Sequence, residues 1–297
     1  MDQTTSFRTQ ISGHTQLLTL MAYPIRHSGS PAMHNEAASY LGLDYVYLCF
    51  DVDQSNLKEA IEAMRTLNIR GGNLSMPNKI AVIPYLDALS DEARFLGAVN
   101  TIVNDDGVLT GYNTDGIGYI QSLRDRGVDP AGCKVTVLGA GGAGKAVQVQ
   151  LALDGARELA VFNRHDAFYE TAKETVDLIN DQTDCHAVFY DLEDTEALRA
   201  QIADSQILTN ATCVGMLPEL GEECLIPDVS FLREDLTVTD VVYYPDDTKL
   251  LRMAKAAGCR KIIGGRGMML FQGAYAFRLW TGREMPLEHM KEVMLPK

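Results

Sequence analysis

The stretch KVTVLGAGGAGK, residues 134 to 145, decides the fold that we predict for this chain. Lys134–Leu138 is a short run with alternating β-branched residues and predicts a strand, and a helical pattern follows up to Leu153. Between them, Gly139, Gly141 and Gly144 fit the pattern G-x-G-x-x-G. Because this pattern directly follows a strand and opens a helix, it indicates a dinucleotide-binding site.

Each glycine of this loop has a physical reason. Gly139 permits a tight turn, Gly141 lets the backbone approach a pyrophosphate, and Gly144 lets the helix pack closely on the strand. The N-terminus of the helix favours the anion. We therefore predict that the loop binds the cofactor; a glycine-rich turn without a ligand is the alternative. The predicted cofactor residues are Gly139, Ala140, Gly141, Gly142, Ala143 and Gly144.

The next strand ends in FNRHD, residues 162 to 166, where such a site reads the adenosine ribose. We predict cofactor contacts for Asn163, Arg164 and Asp166. Arg164 could stack on adenine or pair with a 2′-phosphate, whereas Asp166 could accept a hydrogen bond from a 2′-hydroxyl and would repel a phosphate. A single arginine beside a carboxylate favours NAD over NADP without excluding NADP. An exposed charged turn is the other interpretation of Asp166.

Strands alternate with helical patterns along the whole chain, which favours an α/β fold with a doubly wound, mostly parallel sheet. We expect the division between the two halves in the segment from Gly116 to Gly132, and a mainly helical tail from Gly267. The predicted strands are Leu17–Ala22, Tyr45–Val52, Thr101–Val103, Val108–Tyr112, Lys134–Leu138, Glu158–Phe162, Ala187–Tyr190, Gln206–Thr209, Thr237–Val242 and Lys261–Ile263.

Composition excludes several classes of partner. The 297 residues carry a formal net charge of −14, which disfavours nucleic acid and anionic membrane surfaces as partners. No apolar run approaches the roughly 20 residues that span a bilayer. The polar start, Met1 to Gln10, lacks a signal region, so we expect a cytoplasmic protein. The six cysteines occur singly, and we predict no metal site.

Three polar segments of the first half could bind and activate a small anionic substrate. Ser28 and Ser30 precede a helix start and could grip a carboxylate with help from the helix dipole, or Ser30 could simply cap the helix. Lys79 could move a proton and stabilise a developing oxyanion, or it could be a solvated surface charge. Asn100 and Asp115 could hydrogen-bond hydroxyl groups, or they could form turns.

Together these segments resemble the shikimate/quinate dehydrogenase family over nearly the whole chain, and look closest to its bifunctional quinate/shikimate branch. The resemblance implies reversible hydride transfer between NAD or NADP and the C3 hydroxyl of shikimate or quinate. The matching blocks, in chain order, are residues 22–31 (AYPIRHSGSP), 75–79 (SMPNK), 97–101 (GAVNT), 113–116 (NTDG), the glycine loop, 210–212 (NAT) and 271–274 (FQGA).

The resemblance also implies the arrangement of domains and the roles of matching residues. Residues 1–118 would form the substrate domain, 119–265 the Rossmann domain, and 266–297 C-terminal helices that return to the substrate domain. Lys79 and Asp115 would be the catalytic pair, without a metal. The implied substrate-binding residues are Ser28, Ser30, Ser75, Asn100, Tyr243 and Gln272, and the further cofactor residues are Thr212, Val214, Met216 and Gly265.

One departure from the family pattern bears on the substrate. The family usually has an acidic residue where this chain has Gly264, and Arg266 is an unusual occupant of the same loop. Arg266 could favour a second anionic group, alter cofactor contacts or point to solvent. This keeps open a dehydrogenase for a related polyol acid, such as an amino-shikimate. A dinucleotide-binding regulator without turnover is the other alternative, and a homodimer is an expectation from the family.

Overall fold

The computed structural model describes residues 11 to 26 and 28 to 294. The chain divides into two compact units. The first consists of the described residues up to Thr114 together with those from Gly273 onward, and the second is Asp115–Gln272. The domain boundaries predicted at 118/119 and 265/266 stay predictions. The polar start and His27 lie outside the described residues.

The first unit contains a six-stranded sheet and flanking helices. Its strands are β1 (Gln16–Ala22), β2 (Tyr45–Asp51), β3 (Gly71–Leu74), β4 (Ala88–Leu89), β5 (Thr101–Asp105) and β6 (Val108–Tyr112). Its helices before residue 115 are α1 (Ser30–Tyr40), α2 (Leu57–Thr66), α3 (Asn78–Ala81) and α4 (Asp91–Leu96).

The strand order of this sheet is β2-β1-β3-β5-β6-β4. Strands β1, β2 and β3 are parallel, whereas β5 runs antiparallel to both β3 and β6. Because β5 is reversed, its first residue, Thr101, pairs with Asn73 near the carboxyl end of β3 and with Tyr112 at the carboxyl end of β6. The start of β5 therefore shares an edge with the ends of β1, β3 and β6.

The C-terminal segment packs on the first unit's own sheet, as the predicted fold requires. Trp280 is 1% exposed and donates from its indole nitrogen to the backbone oxygen of Ile102 at 2.9 Å. Gly71 lies against this indole: a Cβ built on it would lie 2.4 Å from the Ile102 oxygen and 2.7 Å from the ring. Only glycine fits here, which explains how a Gly-Gly sequence can form strand β3 and why residue pattern did not predict it.

The second unit is a parallel α/β sheet. Its strands are β7 (Lys134–Leu138), β8 (Glu158–Asn163), β9 (His186–Asp191), β10 (Ile207–Asn210), β11 (Thr237–Asp240) and β12 (Lys261–Ile263). Its helices are α5 (Asp115–Asp125), α6 (Gly142–Leu153), α7 (Tyr169–Gln182), α8 (Thr195–Asp204) and α9 (Lys249–Ala256). Helix α10 (Arg266–Thr281) begins in this unit and ends in the first, where α11 (Leu287–Met294) follows.

The order β12-β11-β10-β7-β8-β9, with every pair parallel, is the doubly wound order of dinucleotide-binding folds. The chain reverses direction across the sheet between β7 and β10, and ligands of such sheets bind at this point, beyond the carboxyl ends of the strands. The predicted fold class is confirmed, and β7 and β12 have the predicted bounds. Helix α6 begins at Gly142 and ends at Leu153, where the predicted helical pattern ends.

Candidate active site

Residues of the first unit that are predicted to bind or activate the substrate lie in loops and helix starts at one edge of its sheet. Ser28 and Ser30 follow β1, Ser75 and Lys79 follow β3, and Asn100 directly precedes β5. The reversed direction of β5 puts Asn100 at the same edge as the other four. The fold thus gathers residues that lie up to 72 positions apart in the sequence (28 to 100).

The two serines form a compact turn at the start of α1. Ser28 Oγ accepts a hydrogen bond from the backbone N–H of Ser30 at 3.2 Å. The predicted capping role of Ser30 is wrong, because Gly29 is the N-cap residue and makes no side-chain cap bond. Pro31 fixes the first turn. Both serines are half-buried at a helix N-terminus, a setting that favours a carboxylate ligand.

A buried hydrogen-bond network supports Asn100. The phenol of Tyr47 donates to Asn73 Oδ1 at 2.8 Å, and the Asn73 amide donates to the Asn100 backbone oxygen at 3.1 Å and to Thr101 Oγ1 at 3.0 Å. Asn100 in turn donates from its amide to Thr114 Oγ1 at 2.9 Å. Tyr47 was not among the predicted site residues, since its strand pattern alone gives it only a core position.

Lys79 lies on the short helix α3 and is half-buried. Its backbone oxygen accepts from the N–H of Val99 at 2.8 Å, which fixes α3 beside the loop that carries Asn100. The neighbouring Asn78 is fully buried and donates to the Val52 oxygen at 2.8 Å. The bond from Val99 and the buried side chain of Asn78 thus fix the backbone of the short helix that carries Lys79.

Asp115 is the first residue of α5 and is 9% exposed. It belongs to the second unit, whereas Lys79 belongs to the first. Their predicted pairing as proton-transfer groups therefore stays a prediction.

A cavity of about 430 Å³ borders Ser28 in the first unit. Its lining also includes Arg26, Leu48 and Phe50, but not Lys79 or Asn100. Arg26 forms an ion pair with Asp51 at 2.5 Å, which holds the pKa of that carboxyl below its usual range. The cavity therefore does not coincide with the predicted reacting centre.

The glycine loop of the second unit has the geometry that a pyrophosphate needs. Gly139 has a φ of +105°, and a Cβ on Gly144 would lie 2.3 Å from the Gly139 oxygen. These two glycines are required by the turn and by close packing. By contrast, nothing lies within 4 Å of a Cβ built on Gly142, and only the Phe168 ring does so for Gly141. The backbone at the start of the 12-residue helix α6 is therefore open to an anion, so the residues present fit a dinucleotide.

The turn after β8 is organised by Asp166. Its Oδ1 accepts from the Asn163 amide at 3.0 Å and from the Phe168 N–H at 2.9 Å, and its Oδ2 pairs with Arg164 at 3.3 Å. Asn163 also accepts at 3.1 Å from the N–H of Ala140 in the glycine loop. These bonds lower the pKa of Asp166 against the opposing effect of burial. The turn-forming interpretation of Asp166 is thus supported beside the ribose-binding one.

Phe168 is a residue that the sequence analysis missed. Its ring is 48% exposed and lies 3.9 Å from a Cβ built on Gly141. An exposed aromatic beside a dinucleotide loop offers a flat apolar surface to a base. The signal that could have found it is its position two residues after Asp166, in the turn between the ribose-reading strand β8 and helix α7.

The remaining predicted cofactor residues follow β10 and β12. Thr212 Oγ1 donates to Asn210 Oδ1 at 2.7 Å and accepts from the Val214 N–H at 3.0 Å, while Met216 is 38% exposed. Gly265 is required sterically, because its Cβ would lie 2.2 Å from the Val241 oxygen. These segments lie beyond the carboxyl ends of parallel strands, where ligands of such sheets bind.

Tyr243 and Gln272 complete the predicted set, and Arg266 marks the departure from the family pattern. Tyr243 is 44% exposed in the segment after β11. The Gln272 side chain donates to the Met269 oxygen at 3.1 Å, and Gly118 packs so closely against Gln272 that a Cβ would lie 2.6 Å from its side chain. Arg266 forms an ion pair with Asp246, so the unusual arginine has a local acidic partner.

Among the described residues, hydropathy and side-chain geometry decide whether a membrane span or a metal cluster is present. No helix in this part of the chain is both long and apolar enough to cross a membrane. Within the same residues, no group of three or more His, Cys, Asp or Glu side chains is arranged to hold a metal ion.

Comparison with known proteins decides the family. Residues 20–102 match the model of the shikimate dehydrogenase substrate binding domain, and residues 265–295 match that of the shikimate 5'-dehydrogenase C-terminal domain. A relative named shikimate dehydrogenase (NADP(+)), from Listeria monocytogenes serotype 4b (strain F2365), is 53% identical over 98% of this chain and 99% of its own length. The chain belongs to the shikimate dehydrogenase family.

Solved structures of the family agree with this assignment. Shikimate 5-dehydrogenase from Listeria monocytogenes, in complex with shikimate and NAD, has a TM-score of 0.93 and 54% identity, covering 96% of this chain and 98% of that one. Quinate dehydrogenase from Corynebacterium glutamicum, in complex with NAD, has a TM-score of 0.85 and 34% identity, covering 95% and 99%. The resemblance identified from the motifs is confirmed.

Proposed function

We propose that this protein is a shikimate dehydrogenase that interconverts shikimate and 3-dehydroshikimate with NADP or NAD. The observation that carries the proposal is the similarity, at 54% identity and a TM-score of 0.93, to a Listeria monocytogenes protein solved with shikimate and NAD. The polar edge of the first unit and the glycine loop of the second supply the two kinds of binding surface that this reaction needs.

Each predicted residue has a role that its surroundings support. Ser28 and Ser30, at the N-terminus of α1, would bind the substrate carboxylate. Asn100, fixed by Thr114, would hydrogen-bond a ring hydroxyl. Lys79 would take the proton from the reacting hydroxyl oxygen, or return it in the reverse direction, with Asp115 orienting both.

Ser75, Tyr243 and Gln272 would complete the substrate contacts. The loop from Gly139 to Gly144 would hold the pyrophosphate of the dinucleotide, and Thr212, Val214, Met216 and Gly265 would line its nicotinamide side. The dinucleotide, when bound, accepts or supplies the hydride.

We propose that both cofactors are accepted. The Listeria monocytogenes relative is named for NADP, which supports NADP, and the solved complex holds NAD. Arg164 offers a guanidinium to a 2′-phosphate, while Asp166 opposes it. The two side chains stand in one turn with opposite effects, so neither cofactor is excluded by charge alone.

Quinate oxidation is a second candidate activity, favoured by the 34% identity to a quinate dehydrogenase. A related polyol acid, such as an amino-shikimate, is a third substrate that the Arg266 departure allows. The homodimer and the cytoplasmic location stay predictions.

The deciding experiment is steady-state kinetics over the four pairings of shikimate or quinate with NADP or NAD. We expect absorbance of the reduced cofactor to rise with shikimate and each of the two cofactors. If neither acid is oxidised with either cofactor while the protein still binds NADPH, the proposal fails in favour of the regulator or of another polyol acid.

A further inference from the structure

Asp240, the last residue of β11, is a buried carboxylate that the roles above do not use. It is 3% exposed. Its Oδ1 accepts from the Asn210 amide at 2.9 Å and from the N–H of Val242 at 3.0 Å, and its Oδ2 accepts from the hydroxyl of Thr248 at 2.7 Å. One side chain thus joins the ends of two neighbouring strands to the start of α9.

The bond to Asn210 reaches the segment predicted to face the nicotinamide. The two amide hydrogens of Asn210 go to Asp240 and to the Val214 oxygen at 2.9 Å. Its Oδ1 accepts from the N–H and the hydroxyl of Thr212, at 3.2 and 2.7 Å. All bonding capacity of this amide is used, and Asp240 accepts one of its two hydrogens, which adds to the bonds that hold the amide in this orientation.

The other two bonds of Asp240, to Thr248 and Val242, also hold residues next to segments predicted to contact ligands. Thr248 is the N-cap of α9 and accepts from the N–H of Leu251 at 3.4 Å, and its side chain lies 3.3 Å from a Cβ built on Gly215, next to Met216. Val242 directly precedes Tyr243, which is predicted to line the substrate cleft. Asp240 therefore bonds to residues that adjoin two predicted ligand-binding segments, one ending at Met216 and one beginning at Tyr243, without belonging to either.

Burial destabilises the ionised form of the Asp240 carboxylate, because the group loses its hydration. All three of its hydrogen-bond donors are uncharged, and burial raises the pKa of Asp240 to about 6. If this position at the end of β11 served only to fill space, an apolar side chain would do so without the cost of burying a carboxylate. A buried acid that accepts three converging hydrogen bonds is instead suited to fixing the geometry of the segments it joins.

We propose that Asp240 is a positioning residue of the cofactor site, which fixes the Thr212–Met216 segment through Asn210 and Thr248. The proposal rests on the proposed function, because it needs this segment to contact the dinucleotide. Asp240 acts through its hydrogen bonds, so an isosteric amide that keeps Oδ1 should replace most of its effect, with the Thr248 hydroxyl turned to accept.

The test compares Asp240→Ala with Asp240→Asn. We expect Asp240→Ala to raise the KM for NADP, and the Kd for NADPH measured by its fluorescence, about tenfold, equivalent to ~1.4 kcal/mol. Asp240→Asn should stay within about threefold of the wild type, or ~0.7 kcal/mol. The matched control is Asp247→Ala, which removes a half-exposed carboxylate paired with Lys255 in the following segment and should leave both constants unchanged.

Separate outcomes distinguish positioning from mere stability. A purely structural role would lower the melting temperature and the fraction of active enzyme but leave the KM for NADP and the Kd for NADPH unchanged. A folded Asp240→Ala protein with wild-type cofactor constants, or an equal loss in Asp247→Ala, would overturn the proposal.

If Asp240→Ala does not fold, Thr248→Val and Thr248→Ser decide the question. The valine variant loses the donor to Asp240 and should weaken NADPH binding about threefold, ~0.7 kcal/mol, whereas serine should keep it. Equal NADPH binding by both variants would refute the proposal. If the wild type binds NADPH but does not oxidise shikimate, the proposed function fails. The Kd values for NADPH of the wild type and the variants then still test the positioning role of Asp240.

Discussion

The backbone N–H of Thr114 donates a 2.8 Å hydrogen bond to Oδ1 of Asn100. This bond joins the loop before β5 to Thr114, the second residue after β6, and Asp115 is the next residue in the chain. The Asn100 side chain, which the resemblance assigns to the substrate, is therefore held by the residue that precedes the predicted catalytic Asp115 in the sequence. The bond also holds the segment after β6 against the polar residues at this edge of the first unit's sheet.

We predict that Asn100→Ala lowers the free energy of unfolding by about 1–3 kcal/mol, because the buried N–H and hydroxyl of Thr114 lose their hydrogen bonds to the Asn100 side chain. It should also raise the KM for shikimate. Urea unfolding and initial rates measure the two effects. The exposed Asn56, which accepts one bond from the Asp53 N–H, is the control: Asn56→Ala should change stability by less than about 1 kcal/mol. Equal losses of unfolding free energy in both variants would show that Asn100 contributes no more to stability than an exposed asparagine.

Lys79→Ala should reduce kcat by roughly 10²–10⁴-fold and leave the KM for shikimate nearly unchanged, since the amine acts on the proton rather than on binding. Steady-state kinetics at saturating cofactor measures both constants. Lys58→Ala, which removes an exposed lysine of α2, is the control and should behave as wild type. Near-normal turnover of Lys79→Ala would remove this lysine from the mechanism.

Two glycines of the loop separate the requirements of the fold from those of cofactor binding. Gly144→Ala should destabilise the protein by about 1–3 kcal/mol, because the added methyl would meet the Gly139 oxygen at 2.3 Å. Gly142→Ala meets nothing within 4 Å and should keep the melting temperature. If the pyrophosphate occupies this open space, Gly142→Ala should still raise the KM for NADP and for NAD. An unchanged cofactor KM in Gly142→Ala would argue against the assigned place of the pyrophosphate.

Asp166→Ser should raise the ratio of kcat/KM for NADP to that for NAD by about tenfold, because it removes the carboxylate that would repel a 2′-phosphate and frees Arg164 to bind it. Serine keeps an oxygen near the Phe168 N–H. Kinetics with both cofactors at fixed shikimate gives the ratio. Asp177→Ser, at an exposed position on α7, should not alter it; a ratio unchanged in Asp166→Ser as well would leave Asp166 with only its turn-forming role.

His34 should make the first unit sensitive to acid. It is 1% exposed, stacked on Tyr47 with ring centroids 4.5 Å apart, and, among the described residues, neither ring nitrogen has a hydrogen-bond partner. Burial lowers the pKa of His34 from 6.5 to about 3. The unfolded chain therefore binds a proton below pH 6.5 that the folded chain does not, and stability that is complete above this pH is lost as the pH falls towards 3.

The measurement is urea unfolding of the wild type and of His34→Phe between pH 7 and 5. The stability of the wild type relative to the variant should fall by about 2 kcal/mol over this range, because each pH unit below 6.5 contributes ~1.4 kcal/mol. Other titrating groups cancel in the difference. A difference that does not vary with pH would mean that His34 is protonated equally easily in both states.

Local pattern was enough for the second unit. The strand Lys134–Leu138, the glycines of residues 139 to 144 and the helix after them follow from short-range rules, since turn, phosphate approach and helix packing each require glycine within six residues. The order of motif blocks was enough for the family. The first unit was predicted less fully: β3 was missed, because its Gly-Gly start is explained only by Trp280, more than 200 residues away.

The sequence by itself thus determined the kind of fold, the cofactor loop and the identity of the candidate residues, including the Lys79–Asp115 pair, which stays a prediction. Only the tertiary structure decided which of these residues support one another. The bond from Tyr47 to Asn73, the bond from Thr114 to Asn100 and the bonds of Asp240 with Asn210 and Thr248 all join separate strands, loops or helices. The physical reason is that such bonds depend on strand order and direction, here on the reversal of β5, and a local residue pattern encodes neither.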